Sequence, residues 1–359
     1  MSRKVFFLTV LAVMALVLSA CGQAATPTPS AAPTQAPTEV PASPTPVPPT
    51  PTPVPPTATP TPEPITVTDG LGNTVTLSRP AQRIVALAPS ITESLFAIGA
   101  GGQIVARDDN AKFPPEAEKI PSVGGLWGDL PLEAILSYQP DLVIAAEIIS
   151  PDKVKQMQDA GLQVFWVPNP KDFDGLYKNL RDLAKLTGHE AEAEKLIAQL
   201  QERVQTVEDA LADVTEEPLV FYELDGTDPA NPWTTGPNTF ISNTIKMAKG
   251  RNVGDVLDKA WAQISTEELV KQNPDIILLA DAPYGVTPES VAQRPGWDAI
   301  KAVKEGKVYP FDPNLLSVPG PRLVDGLETL AVMLHPDIFC AKDLTKHLEQ
   351  NLVGAVCQP

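Results

Sequence analysis

Histidine and cysteine are scarce, with three of each in 359 residues. That leaves too little to assemble a multi-ligand zinc site or a haem-thiolate centre, so neither a resident metal nor a cofactor is expected. Positive charge is also short. Lys and Arg number 27 against 44 Asp and Glu, a net charge of −17, which becomes −19 without the two bases of residues 1–20. Such a chain is a poor partner for phosphate backbones, so no nucleic-acid binding is expected. Catalytic constellations are missing too. There is no nucleophile elbow, no two carboxylates stand out as an acid/base pair, and His189, His335 and His347 fall in or beside helical segments. An enzyme is therefore not expected.

Proline is abundant instead. Sixteen of the 40 prolines fall between Gly22 and Pro64, a stretch whose only charges are Glu39 and Glu63. It cannot build a core and favours polyproline II, in which about 3.1 Å per residue gives a reach on the order of 100 Å. Ahead of it, Arg3 and Lys4 precede an apolar run, Val5 to Val17, that is too short to span a bilayer comfortably. The run ends in Leu18-Ser19-Ala20-Cys21, which resembles the lipobox of bacterial lipoproteins. Residues 1–20 read as a signal peptide and 21–64 as a lipidated Cys21 with a Pro/Thr-rich spacer. Acylation would hold the protein at the outer face of the cell membrane, in the periplasm or at the cell surface. In that oxidising compartment Cys340 and Cys357 read as a disulfide closing a short loop, worth about 3 kcal/mol by loop entropy.

From Arg83 onward, short apolar runs alternate with helical ones. Ile84–Ala88, Leu142–Ala146 and Val164–Val167 read as strands; after Pro218 the pattern restarts with Leu219–Tyr222, Ile276–Ala280 and Val308–Phe311. Alternation of this kind predicts α/β units with mainly parallel sheets. Between the halves, Leu196, Leu200, Val204, Val207, Leu211 and Val214 step by three or four, predicting one long amphipathic helix over 190–214. The expected fold is two Rossmann-like lobes joined by one long backbone helix, with a ligand cleft between them. The lobes are bounded as 65–188 and 216–336, with 189–215 as the connecting helix and 337–359 as a tail.

The chain also matches itself. Leu130–Ala146 aligns without a gap on Ile264–Ala280 at an offset of 134, which pairs Glu133 with Glu267, Pro140-Asp141 with Pro274-Asp275, and Trp127 with Trp261. Trp and Glu both keeping register predicts an internal duplication. Trp127 and Trp261 then read as walls of the cleft, joined by Trp233; large flat walls suit a large ring system that is partly apolar. Two glutamates related by pseudo-symmetry suit a two-fold partner presenting an arginine on each half.

From Arg83 to about Pro336 the chain resembles the iron-siderophore/cobalamin binding proteins of ABC transporters, the helical-backbone class of periplasmic-binding proteins. The resemblance is carried by Arg83-IVALAPSITESLFAIGAGGQIV, Phe113-PPEAEKIPSVGG, the Pro-Asp strand entries, Asn231-PWTTG and Pro319-GPRL. It is strongest toward the vitamin B12-binding members. It implies ligand contacts at Phe113, Trp127, Trp233, Trp261 and Arg322, and docking of Glu133 and Glu267 onto arginines of a permease dimer that works with its ATPase. The loop Asp312-PNLLSVPGPRL departs from that pattern, with Leu315 and Leu316 where aromatic and charged residues are usual. The expected ligand is a corrinoid such as cobalamin, with a ferric siderophore or haem as the alternative, captured by a monomer. Charge supports that order, since Asp108, Asp109, Asp225, Asp228 and Asp312 outnumber Arg107, Lys112 and Arg322 in the cleft loops and disfavour an anionic chelate. Haem requires an axial Tyr or His, for which Tyr222 and Tyr284 are candidates.

Overall fold

The computed structural model describes residues 63–340. The described part opens with an antiparallel hairpin of β1 (Ile65–Thr68) and β2 (Thr74–Leu77). Asp69 shapes its turn, because Oδ1 accepts from the amides of both Leu71 and Asn73. The expected α/β alternation follows: β3 (Ile84–Leu87), α1 (Pro89–Ala97), β4 (Ile104–Arg107), α2 (Leu132–Ser137), β5 (Leu142–Ala146), α3 (Pro151–Asp159), β6 (Val164–Val167) and α4 (Phe173–Thr187). The strands form an all-parallel sheet in the order β4-β3-β5-β6.

A connecting helix, α5 (Glu190–Ala210), leads to β7 (Leu219–Asp225), β8 (Trp233–Thr235), α6 (Phe240–Met247), β9 (Arg251–Asn252), β10 (Trp261–Gln263), α7 (Thr266–Gln272) and β11 (Ile276–Leu279). The chain continues through α8 (Pro288–Ala292), α9 (Lys301–Lys304), β12 (Val308–Pro310), α10 (Pro313–Leu316), α11 (Leu323–Leu334) and α12 (Pro336–Phe339). The second sheet runs β10-β8-β7-β11-β12, with β9 also on β7; β8 and β10 are antiparallel additions to a parallel core.

Period-two alternation decides which residues face which layer. Ile84, Ala86, Leu142, Ile144 and Ala146 pack toward α4 and α5, while Val85, Leu87, Val143 and Ala145 pack toward Ile135, Val154 and Met157. In the second lobe Val220, Tyr222 and Leu278 join the first of these clusters, so one core runs through both lobes. Phe221, Ile277 and Leu279 pack on the other side around Trp297. Helix α5 lies against both α4 and α11, and Arg203 on α5 pairs with Asp325 and Glu328 of α11.

Two boundaries differ from the sequence-based expectation. Helix α5 stops at Ala210, although Leu211 is buried and Val214 packs on the core. Apolar spacing records burial, and here a turn with Val214 N–H on Leu211 O extends the stripe beyond the helix. The second lobe also runs past 336, because Phe339 of α12 is buried in the shared core.

The internal match has a structural basis. Helices α2 and α7 begin at Leu132 and Thr266, and strands β5 and β11 at Leu142 and Ile276, so both pairs keep the offset of 134. Each helix is followed within two residues by one with positive φ, Gln139 at 47° and Asn273 at 54°, where the chain reverses before Pro-Asp. The aspartates then fix the neighbouring strand. Asp141 accepts from the amides of Gln82 and Arg83 at the entry to β3, and Asp275 accepts from the amide of Leu219 at the entry to β7.

Candidate functional site

In open parallel sheets, ligands bind beyond the carboxyl ends of the strands. The large apolar side chains left exposed on this chain concentrate there. Phe113 and Trp127 follow β4, Ile148 follows β5, Tyr284 follows β11, and Trp233 pairs with Asp225 at the end of β7. Exposed large apolar side chains gathered in this way make a candidate binding surface.

Trp233 and Trp261 lie on adjacent strands. Trp233 is opposite Gln263 and Trp261 is opposite Thr235, so period-two alternation puts both indoles on one face as diagonal neighbours. Trp261 is also backed by Phe240, at a centroid separation of 5.8 Å. Trp127 is different: it is 77% exposed against 39% for Trp261. It lies on a loop held by buried Leu126, whose carbonyl accepts from Lys153 Nζ at 3.2 Å. The two tryptophans matched by the duplication therefore stand in unlike surroundings, because the first lobe has no counterpart of the β8–β10 extension.

Phe113 and Arg322 meet across the lobes. The Arg322 guanidinium carbon sits 3.7 Å above the centre of the Phe113 ring, a cation–π geometry. Arg322 caps α11, and its donors go to Glu93 on α1: the backbone amide to Oε1 at 2.9 Å and Nε to Oε2 at 2.8 Å. Burial raises the Glu93 carboxyl pKa above its ordinary value, with Arg322 opposing the shift. Glu93 was not legible as a site residue in sequence, because it falls on the buried face of α1 among Ile91 and Leu95.

Two charges expected in the cleft are spent elsewhere. Asp108 is fully buried, with Oδ1 on the Asn110 amide. Arg107 is also buried, and it donates to the carbonyls of Ala117 and Asp108. Asp225, Asp228 and Asp312 accept from the amides of Thr227, Ala230 and Asn314. Bonds from Thr227 and Asn231 hold the Asp225 and Asp228 carboxyls below the usual range. Exposed Asp109, Asp225 and Asp228 against exposed Lys112 leave this edge acidic.

Beneath the second-lobe loops lies a cluster that local sequence does not reveal. Glu223, fully buried, takes two bonds from Arg294, Nη2 to Oε1 at 2.8 Å and Nη1 to Oε2 at 2.5 Å. Burial pushes the Glu223 carboxyl up to about 7 and raises that of neighbouring Asp281. Asp281 Oδ2 accepts from the Gly226 amide, while Oδ1 is buried without a partner. A Cβ at Gly226 would come within 2.5 Å of both Arg294 and Glu223, so a larger residue there would push the pair out of place.

Of the two tyrosines, Tyr222 is fully buried with its hydroxyl 3.0 Å from Ser317 Oγ, which removes it as a ligand contact. Tyr284 is 86% exposed. Glu133 and Glu267 are exposed in the first turns of α2 and α7, one per lobe. Cys340 is disulfide-bonded; Cys357 and Cys21 lie outside the described residues. No helix among the described residues is long and apolar enough to cross a membrane.

The sequence profile of the periplasmic binding protein family matches residues 84–315. An uncharacterised ABC-transporter substrate-binding lipoprotein of Bacillus subtilis is 34% identical over 281 residues, spanning 77% of this chain and 87% of that protein. A cobalamin-binding protein of Halobacterium salinarum is 28% identical over 284 residues, spanning 76% and 74%. Among solved structures, the periplasmic haem-binding protein of Roseiflexus sp. RS-1 in its apo form superposes with a TM-score of 0.65 at 28% identity, covering 71% of this chain and 98% of that one.

Proposed function

Because the chain belongs to the periplasmic binding protein family, as a non-enzymatic substrate-binding protein of an ABC importer, we propose that its ligand is a corrinoid of the cobalamin type. The observation that carries this reading is the set of exposed aromatic side chains, Phe113 and Trp127 on the loop after β4 and Trp233 and Trp261 on the β8–β10 face. A corrin ring offers a broad, largely apolar face to such walls, and the acidic rim favours a neutral or cationic ligand over an anionic chelate. The cobalamin-binding name of the Halobacterium relative supports the same choice. Titration of the purified chain with cyanocobalamin is expected to quench Trp fluorescence at micromolar ligand or below. No quenching, with tight binding of a ferric siderophore instead, would reject a corrinoid ligand.

A second reading, haem, rests on the exposed phenol of Tyr284, a side chain able to serve as an axial ligand. Titration with haemin separates the two. A Soret shift that is lost in Tyr284→Phe would favour haem.

Glu133 and Glu267 are proposed to dock the two lobes onto arginines of a permease dimer, each carboxylate taking a bidentate guanidinium. Reversing both charges, Glu133→Lys with Glu267→Lys, is expected to abolish stimulation of ATP hydrolysis in the reconstituted transporter and to leave ligand titration unchanged. Retained stimulation would exclude a docking role. Attachment through a lipidated Cys21, with the Pro/Thr-rich segment as spacer, would place this capture step at the outer face of the membrane.

A further inference from the structure

We infer that Glu93 sets the charge selectivity of the cleft, by cancelling the Arg322 guanidinium and fixing it as a platform behind Phe113. This rests on the proposed role of Phe113 in the ligand site, but not on the ligand being a corrinoid. Glu93 belongs to the first lobe and Arg322 to the second. Their contact comprises the Arg322 amide on Oε1 at 2.9 Å, Nε on Oε2 at 2.8 Å and a further guanidinium nitrogen on Oε2 at 2.8 Å. Both side chains are withdrawn from solvent, 17% exposed for Arg322 and 2% for Glu93.

The chain is shaped around the carboxylate. A Cβ at Gly320 would lie 2.8 Å from Glu93 Oε1, so a larger residue there would displace the carboxylate that Pro319-Gly320-Pro321-Arg322 closes over. Two consequences follow from the geometry. The positive charge is neutralised by a partner that a ligand cannot displace without leaving a buried carboxylate unpaired, which is costly. The guanidinium plane, held by two donors, meets the ring of Phe113 at 3.7 Å, and Phe113 stays 41% exposed. Arg322 thus acts through Phe113 as a positioning residue and offers little net charge to an anionic ligand.

The test uses a dye pair that shares one ring system, anionic 8-anilinonaphthalene-1-sulfonate and neutral N-phenyl-1-naphthylamine, with energy transfer from tryptophan as the signal. In Glu93→Gln the unmasked guanidinium is expected to tighten the anionic dye by about tenfold or more and to leave the neutral dye within about twofold, with the gain shrinking as salt is added. The inference is overturned if Glu93→Gln, folded by its melting curve, moves both dyes alike or neither. The double variant Glu93→Gln with Arg322→Gln decides the matter even if Glu93→Gln alone does not fold. Removing two charges that cancel each other predicts equal changes for the two dyes, whereas selective loss of the anionic dye would make Arg322 a direct ligand contact and reject the inference. Competition by cyanocobalamin is scored separately. Its failure to displace the neutral dye from the unaltered chain would reject the corrinoid reading and leave the dye ratios to judge Glu93.

Discussion

Replacing Arg294 by leucine is expected to lower the unfolding free energy by about 3–5 kcal/mol near neutral pH, the usual cost of removing one partner of a buried ion pair. Glu223 is fully buried and takes both of its short bonds from Arg294. Asp281, its neighbour, already has one oxygen without a partner. Two carboxyls facing one guanidinium reach neutrality by keeping one proton, and burial raises both carboxyl pKa values, Glu223 to about 7. A raised folded-state pKa contributes stability that is fully present below the unfolded value of about 4.3 and is lost as pH climbs through the folded value. Native stability should therefore decline between about pH 4.3 and 7 through this cluster. In Arg294→Leu the stranded carboxyls can neutralise themselves by binding protons in acid but not in base. The deficit measured by urea unfolding should accordingly be small at about pH 5 and large at about pH 8. An equal deficit at both would assign the cost to packing, since Arg294 also lies 4.5 Å over the Trp297 ring.

Such a cluster shows what sequence reading reaches and where it stops. Strand alternation was legible because parallel strands buried on both faces leave continuous apolar runs, as at Leu142–Ala146. The duplication was legible because Gln139 and Asn273 must turn at positive φ and Asp141 and Asp275 must cap the adjoining strand, which fixes residue types at a fixed spacing. Glu223 and Arg294 stand 71 residues apart, and Glu93 and Arg322 stand 229 apart. Only the folded chain brings either pair together, so no local pattern announces them. The same limit explains Asp108 and Arg107. Their charges counted toward the cleft in sequence, yet both are buried and bonded to backbone. The hairpin of β1 and β2 went unread for a different reason: two four-residue strands around a Gly-containing turn carry too short a pattern to separate from the proline-rich segment before them.

The aromatic face yields the largest expected change in binding. Trp233→Ala combined with Trp261→Ala is expected to weaken ligand binding by about 100-fold or more. Each buried aromatic contributes about 1.5–3 kcal/mol, and about 1.4 kcal/mol is a factor of ten. The two indoles share one face of paired strands and Phe240 backs Trp261, so little side-chain entropy remains to be lost when a ligand covers them. Trp127, 77% exposed on its loop, has less surrounding structure to hold it against a ligand, and Trp127→Ala is expected to cost less than either second-lobe change. Stability must be read alongside binding, because Trp261→Ala also removes the contact with Phe240 and Trp233, 43% exposed, is itself more than half buried. If the double variant melts cooperatively and still binds cyanocobalamin and haemin as tightly as the unaltered chain, the β8–β10 face is not part of the site. Selectivity would then have to come from Phe113, Trp127, Ile148 and Tyr284, large side chains exposed on the other loops.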